Sequence, residues 1–407
     1  MKKQIKTLAA LIAGITVMTP LSVCSCGKSE ETTTAATTAA TTTTEATTTE
    51  SKETTTEATV TVAEVTENPL IDPKNPDALD PYTGIQNMDP KNVGKRSIAC
   101  TISNLEAATP SKGTALADVI YEYETEGGQT RLLCLFPDVS KVPVIGSFRS
   151  CRVVAASLAS GTDSIVIHWG YDKTAFPKFF KEYNIDAIDM NDYDAGWNAD
   201  VDGKIELNGD RFSWRDLHWK QEAKRVQQDC AVTNGEQVQR AIDRFGIRTD
   251  ILETEQPMLF NFVPDGTATM KDAMDCKDMN VYFSQINDDA HFVYNEKDHT
   301  YYKSQYGDKP QIDDATDEQL NFTNVFVLFT NIHVRDSADH LDFSLELGGQ
   351  GYYVSNGKLT EINWIKPNPM DLIQITDMEG NEIEVNAGKS YICMVDIKER
   401  AKTSWMG

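Results

Sequence analysis

Residues 118–136 read Asp-Val-Ile-Tyr-Glu-Tyr-Glu-Thr-Glu-Gly-Gly-Gln-Thr-Arg-Leu-Leu-Cys-Leu-Phe. Residues 118–123 and 129–136 have strand length and are rich in β-branched, aromatic and aliphatic side chains. The Gly127-Gly128 pair between them is a turn signal, so the stretch predicts two antiparallel strands. The second run is almost continuously apolar, as expected of a strand buried on both faces. Working outward, 97–103 and 164–169 read as further strands. Residues 152–159 predict a helix, 174–183 a second with Pro177 near its first turn, and 236–245 a third. Strands alternating with helices make this part mixed α/β.

After about residue 250 the character changes. Residues 291–294 and 300–303 flank Asn295-Glu296-Lys297-Asp298. Residues 352–354 and 359–364 flank Ser355-Asn356-Gly357, and Asn-Gly is a strong hairpin turn. Residues 372–376 and 382–385 flank Glu379-Gly380. Residues 324–334 predict one long strand and 390–396 the last one, and Gly348 to Gly351 reads as a bulge or tight turn between strands. The expected fold class is α+β: a mixed α/β N-terminal domain over 68–248, then a β-rich C-terminal domain of hairpins over 249–407.

Upstream of these, Lys2, Lys3 and Lys6 precede an apolar run that ends at Val23-Cys24-Ser25-Cys26. This is the pattern of a secretory signal over 1–26, too short and too interrupted for a stable membrane span. It resembles a bacterial lipoprotein signal, which implies lipidation at Cys26 and an extracytoplasmic location at the outer face of the cell membrane. Residues 27–67 are dominated by Thr, Ala and Glu and predict a disordered stalk.

The 407 residues carry 38 Lys+Arg against 62 Asp+Glu, a formal charge of −24. That excludes nucleic acid as the default partner and argues against electrostatic docking on anionic lipid. Six Cys remain beyond the anchor, with no Cys-x-x-Cys and no zinc framework, and read mostly as free thiols. Asn198 to Gly203 resembles the start of a calcium loop but lacks its closing acidic ligand and reads as a solvated loop. No pattern calls for a cofactor or a metal.

The informative stretch runs from Asn104 to Gly170. Glu122 and Glu126 bracket a strand end, and Arg131 opens the next strand. Arg149 and Arg152 flank Ser150-Cys151 at a helix start, and His168 ends an apolar strand. Ligand groups collect at strand ends in α/β sheets, and paired Arg residues at a helix start suit a carboxylate or phosphate. Arg131, Arg149, Ser150, Arg152 and Asn104 are therefore the ligand-binding candidates. The same Arg residues also fit a structural network with Asp118, Glu122 and Glu126.

From about Asp80 to Val395 the chain resembles the YerB-like bacterial lipoprotein family, built on domain of unknown function 3048. Carrying motifs include Asp80-Pro-Tyr-Thr-Gly84, Glu126-Gly-Gly-Gln-Thr-Arg131, Arg149-Ser-Cys-Arg152, His168-x-Gly170, Phe212-x-Trp-Arg-Asp216 and Gly349-x-Gly351-Tyr-Tyr. The resemblance implies an α/β region followed by a β-rich one on an anchored lipoprotein, and no assigned activity. Where the family carries Pro-His-Asn, this chain has Gln228-Asp229-Cys230. A general-base His at that place would be lost here, with Asp229 an imperfect substitute.

The expected function is an envelope lipoprotein acting as a binding or scaffold module for an anionic wall or glycan ligand. The alternative is a hydrolase or transferase on such a substrate, with Glu122 or Glu126 as acid/base and His168 as a polar helper.

Overall fold

The computed structural model describes residues 77–199, 205–252, 257–287 and 289–407. The signal, Cys26, the stalk and all of the calcium-like loop beyond Ala199 lie outside the described residues. No helix among the described residues is long and apolar enough to cross a membrane.

In chain order, the N-terminal half supplies β1 (Ile98–Ser103), β2 (Val119–Glu124), β3 (Thr130–Phe136), α1 (Val153–Ser160), β4 (Ile165–His168), α2 (Phe176–Tyr183), β5 (Ala187–Asp189), α3 (Leu217–Gln221) and α4 (Gly235–Phe245). The C-terminal half supplies β6 (Met274–Asp275), β7 (Asp278–Tyr282), β8 (Asp289–Asn295), β9 (Thr300–Gln305), β10 (Asn324–Thr330), β11 (Gly349–Ser355), β12 (Lys358–Ile365), β13 (Gln374–Thr376), β14 (Ser390–Asp396) and β15 (Ser404–Met406). The architecture is α+β, with the β-rich half as expected.

One sheet spans both halves, in the order β6-β12-β11-β10-β14-β2-β3-β1-β4-β5, with β13 added beside β12. The boundary at 248/249 divides the sequence but not this sheet, because β14 pairs in parallel with both β10 and β2. β1 and β2 both run antiparallel to β3, while β4 and β5 follow β1 in parallel. The C-terminal ends of β1, β2, β4, β5, β10 and β14 therefore share one edge, with the start of β3. A second sheet is built from β9, β8, β7 and β15, with the short strands Lys309–Pro310 and Asn321–Phe322 also pairing with β9.

Side-chain parity decides what each face carries. Ile98, Cys100, Ile102, Ile120, Leu132 and Cys134 face a core shared with α4 and the second sheet. Ala99, Tyr121, Tyr123, Leu133 and Leu135 face the other way, onto α1 and α2. Strands covered on both faces must be apolar at nearly every position, which is why β3 and β10 read as continuous runs.

Three sequence expectations change. The strand predicted over 324–334 ends at Thr330, and Ile332–Val334 forms a separate ribbon with Leu341–Phe343. Gly349 and Gly351 lie inside β11, where a Cβ would come within 2.2 Å of the Phe329 carbonyl and 2.3 Å of the Val327 carbonyl. Of the last predicted hairpin only β13 is a strand, but its arms do meet, with Thr376 bridging Glu382 antiparallel, while Val385 bridges Phe262. All six described Cys are buried free thiols, Cys100 and Cys134 being directly opposed in register.

Candidate functional site

Register places Tyr123 and Ser103 on either side of Arg131, in one row on the α1 face of the sheet. Leu132, opposite Glu122, points to the other face. Period-two alternation thus separates Glu122 from Arg131.

On the far face Glu122 is fully enclosed. Its Oε1 accepts from Asn104 Nδ2 at 2.8 Å and Thr130 Oγ1 at 2.7 Å, and its Oε2 accepts from Tyr391 OH at 2.6 Å. Lys303 Nζ lies 3.8 Å from Oε2 and donates to Gln305 at 2.7 Å and Gln311 at 2.6 Å. Burial pushes the Lys303 ammonium below the ordinary lysine range, and Glu122 opposes that shift. Asn104 and Glu122 belong to this lattice and are themselves fully buried.

On the α1 face the shared strand ends hold a different cluster. Glu126, just past β2, accepts two hydrogen bonds from Arg152, at 2.5 and 2.9 Å. Burial raises its carboxyl pKa, but Arg152 and Arg131 outweigh that and hold it below the ordinary range. Arg131 donates to the Ser150 carbonyl and lies 3.8 Å from Glu126. Arg149 meets buried Asp229 at 3.2 Å. Asp229 is thus the counter-ion of Arg149. Ser150 is half-buried, and its hydroxyl makes no hydrogen bond among the described residues.

The charges here are not fully matched. Arg131 is pushed down to about 10, first by burial and next by the neighbouring Arg152 guanidinium, with Arg149 adding to it. The Tyr123 hydroxyl in the same row is fully buried and makes no hydrogen bond. Ser103 Oγ, Ser147 Oγ and Asp229 Oδ1 are likewise buried without hydrogen-bond partners.

His168 closes β4 but lies buried against Tyr171 and Phe176. Its Nδ1 is 2.9 Å from the Gly170 carbonyl, which fixes the N–H on that nitrogen. Burial lowers its pKa, so the ring is neutral at pH 7.

Sequence reasoning missed a second group at this edge. Asp172 follows β4, and Arg335, Asp336 and His340 lie in the turn of the 332–343 ribbon. His340 Nδ1 is 2.9 Å from Asp336 and its Nε2 is 3.8 Å from Glu126, which joins the two groups. Asp172, Asp336 and His340 have the donor types of a cation site, with ligand atoms within 4.8 Å of one another. Arg335, however, donates to both carboxylates and already supplies the positive charge. The available signal was the dense run Arg335-Asp-Ser-Ala-Asp-His340 directly after an apolar strand. A cleft of about 320 Å³ opens beside this group, between the first turns of α1 and residues 341–345.

Comparison with known proteins now fixes the family. Residues 82–248 match "Protein of unknown function (DUF3048) N-terminal domain", and 279–392 match the corresponding C-terminal domain. The chain belongs to the DUF3048 family. A DUF3048 relative from Bacillus subtilis (strain 168), named "Putative lipoprotein YerB", is 25% identical over 328 residues, covering 80% of this chain and 88% of the relative. The crystal structure of the YerB protein from Bacillus subtilis shares the fold, with a TM-score of 0.65 at 22% identity, over 81% of this chain and 99% of that one.

Proposed function

We propose that this chain is a cell-envelope lipoprotein, held at the outer membrane face through Cys26, that binds an anionic wall ligand at the Arg-rich sheet edge. One observation carries the reading. Arg131, Arg149 and Arg152 crowd a single edge where Glu126 is shared by two of them, so Arg131 is penalised by its own neighbours. An anion arriving beside Arg149 and the unengaged Ser150 hydroxyl relieves that repulsion. The cleft lined by Val153 and Val154, which follow Arg152 directly in the chain, offers room for the rest of the ligand. Hydrolysis is the weaker reading, since Glu122 is sealed and His168 is buried and neutral.

Titration of the full-length protein with soluble muropeptides, whose stem peptides end in carboxylates, tests this. Binding by wild type and its loss in the Arg149→Ala, Arg152→Ala double variant support the reading. No binding by wild type, or equal binding by a folded double variant, rejects it. Separately, Cys26→Ala should move the protein from the membrane fraction to the soluble fraction.

A further inference from the structure

A larger opening lies beside the point where the described chain begins. A groove of about 790 Å³ is lined by Leu79, residues 258–262, β13 with the two residues before it, and part of 380–385. Leu79 belongs to the short strand Ala78–Leu79, which pairs with Gln86–Met88. Five large apolar side chains in the lining are only half-buried: Leu79, Met258, Phe262, Leu372 and Ile383. Glu382 is the single charged residue among the described lining residues. The groove therefore offers no counter-charge to an anion, and its open apolar walls mark a surface that something covers. None of its residues belongs to the anion site.

The sequence on the other side of Asp77 carries matching chemistry. From 27 to 59 the only apolar residue type is Ala. Val60, Val62 and Val65 follow, and then Leu70 and Ile71, the only Leu or Ile residues between Cys26 and Asp77. A tether that merely spans distance needs no such pair. Pro69, Pro73 and Pro76 disfavour helix at Asn68, Asp72 and Asn75, so extended docking costs less conformational entropy there. The chain from Leu70 to Leu79 reaches roughly 30 Å when extended, enough to bring the pair back to the groove. So short a covalent link raises the effective concentration of the segment to the order of millimolar, where weak apolar docking suffices.

We infer that this groove is the docking site of the chain's own segment 68–72. Leu70 and Ile71 seat among the half-buried apolar side chains, cover them from water, and strap the lead-in of the body beside β13. The inference rests on neither the anion site nor the lipidation of Cys26.

Limited trypsin digestion of the full-length protein tests this, because Lys74 adjoins the docking segment and Lys52 lies in the Thr-rich tract as an internal reference. Wild type is expected to be cut quickly at Lys52 and slowly at Lys74. The double variant Leu70→Asp, Ile71→Asp should speed the Lys74 cut at least about tenfold and leave the Lys52 cut unchanged. Ile383→Asp, on the groove wall, should do the same while still melting cooperatively. The Leu70 and Ile71 substitutions lie outside the described body, so they decide the matter even where Ile383→Asp does not fold. An equal Lys74 rate in wild type and the double variant overturns the inference. So does protection of Lys74 that vanishes on dilution, which would assign the groove to a second copy of the chain. Nile red binding to wild type that Ile383→Asp abolishes, with Lys74 unprotected throughout, would assign it to a free apolar ligand and overturn the inference as well.

Discussion

Two polar clusters sit back to back on β1, β2 and β3, and they differ in how completely they are partnered. On the face toward the second sheet, Glu122 is enclosed by Asn104, Thr130, Tyr391 and Lys303, and both of its oxygens accept hydrogen bonds. On the α1 face, Arg131 lies beside the like charges of Arg152 and Arg149, with the Tyr123 hydroxyl unbonded. A saturated lattice has nothing left to offer a ligand, whereas an unsaturated one does. Polarity at a strand end is thus not enough to mark a site.

The sharpest way to break this comparison is Glu122→Ala. It leaves Lys303 and three hydrogen-bonding groups stranded in a dry interior and should cost about 3–5 kcal/mol by denaturant unfolding. A loss under about 1 kcal/mol would mean the lattice is not the structural element described. Next in size is Arg152→Ala, which removes both hydrogen bonds to half-buried Glu126 and should cost about 1–3 kcal/mol.

A third test concerns a half-buried carboxylate that lacks such partners. Asp118, just before β2, accepts no side-chain hydrogen bond among the described residues. Burial first, and the neighbouring Asp80 carboxylate second, push it up to about 7; burial likewise raises Asp80, to about 6. Both folded-state values lie above the unfolded ones, so the pair's contribution is fully present below about pH 4 and fades as pH rises to about 7. Asp118→Asn should flatten that slope and melt higher than wild type at pH 8. An unchanged pH profile would contradict the pairing. Arg149→Ala takes the counter-ion from buried Asp229 and should cost about 1–3 kcal/mol, less than Glu122→Ala because Arg149 is itself partly exposed. The same variant should also weaken muropeptide binding, and that loss of binding is what separates the two faces.

Much of the fold was legible because local signals and tertiary demands agreed. The apolar run ending at Phe136, the Gly127-Gly128 turn and the Asn356-Gly357 hairpin all stand where their chemistry placed them. What was not legible is long-range. Nothing in Ser390–Asp396 announces that it inserts between β2 and β10, since a strand's partners are set by global packing. The Arg cluster was legible as a group, and its neighbours only partly so. Parity along β2 and β3 would have separated Glu122 from Arg131. The approach of Arg335 and His340 depends on a loop whose position no local signal encodes.

The central place of β14 bears on how this molecule is made. The strand that joins the two halves is made after both of the strands it pairs with, so the middle of the sheet stays open until Ser390–Asp396 has been synthesised. Non-local parallel pairing of this kind is slow, and the waiting edges of β2 and β10 are adhesive. A chain cut short before Ser390 should therefore be not a smaller version of the protein but substrate for proteases. Its biogenesis is all-or-none.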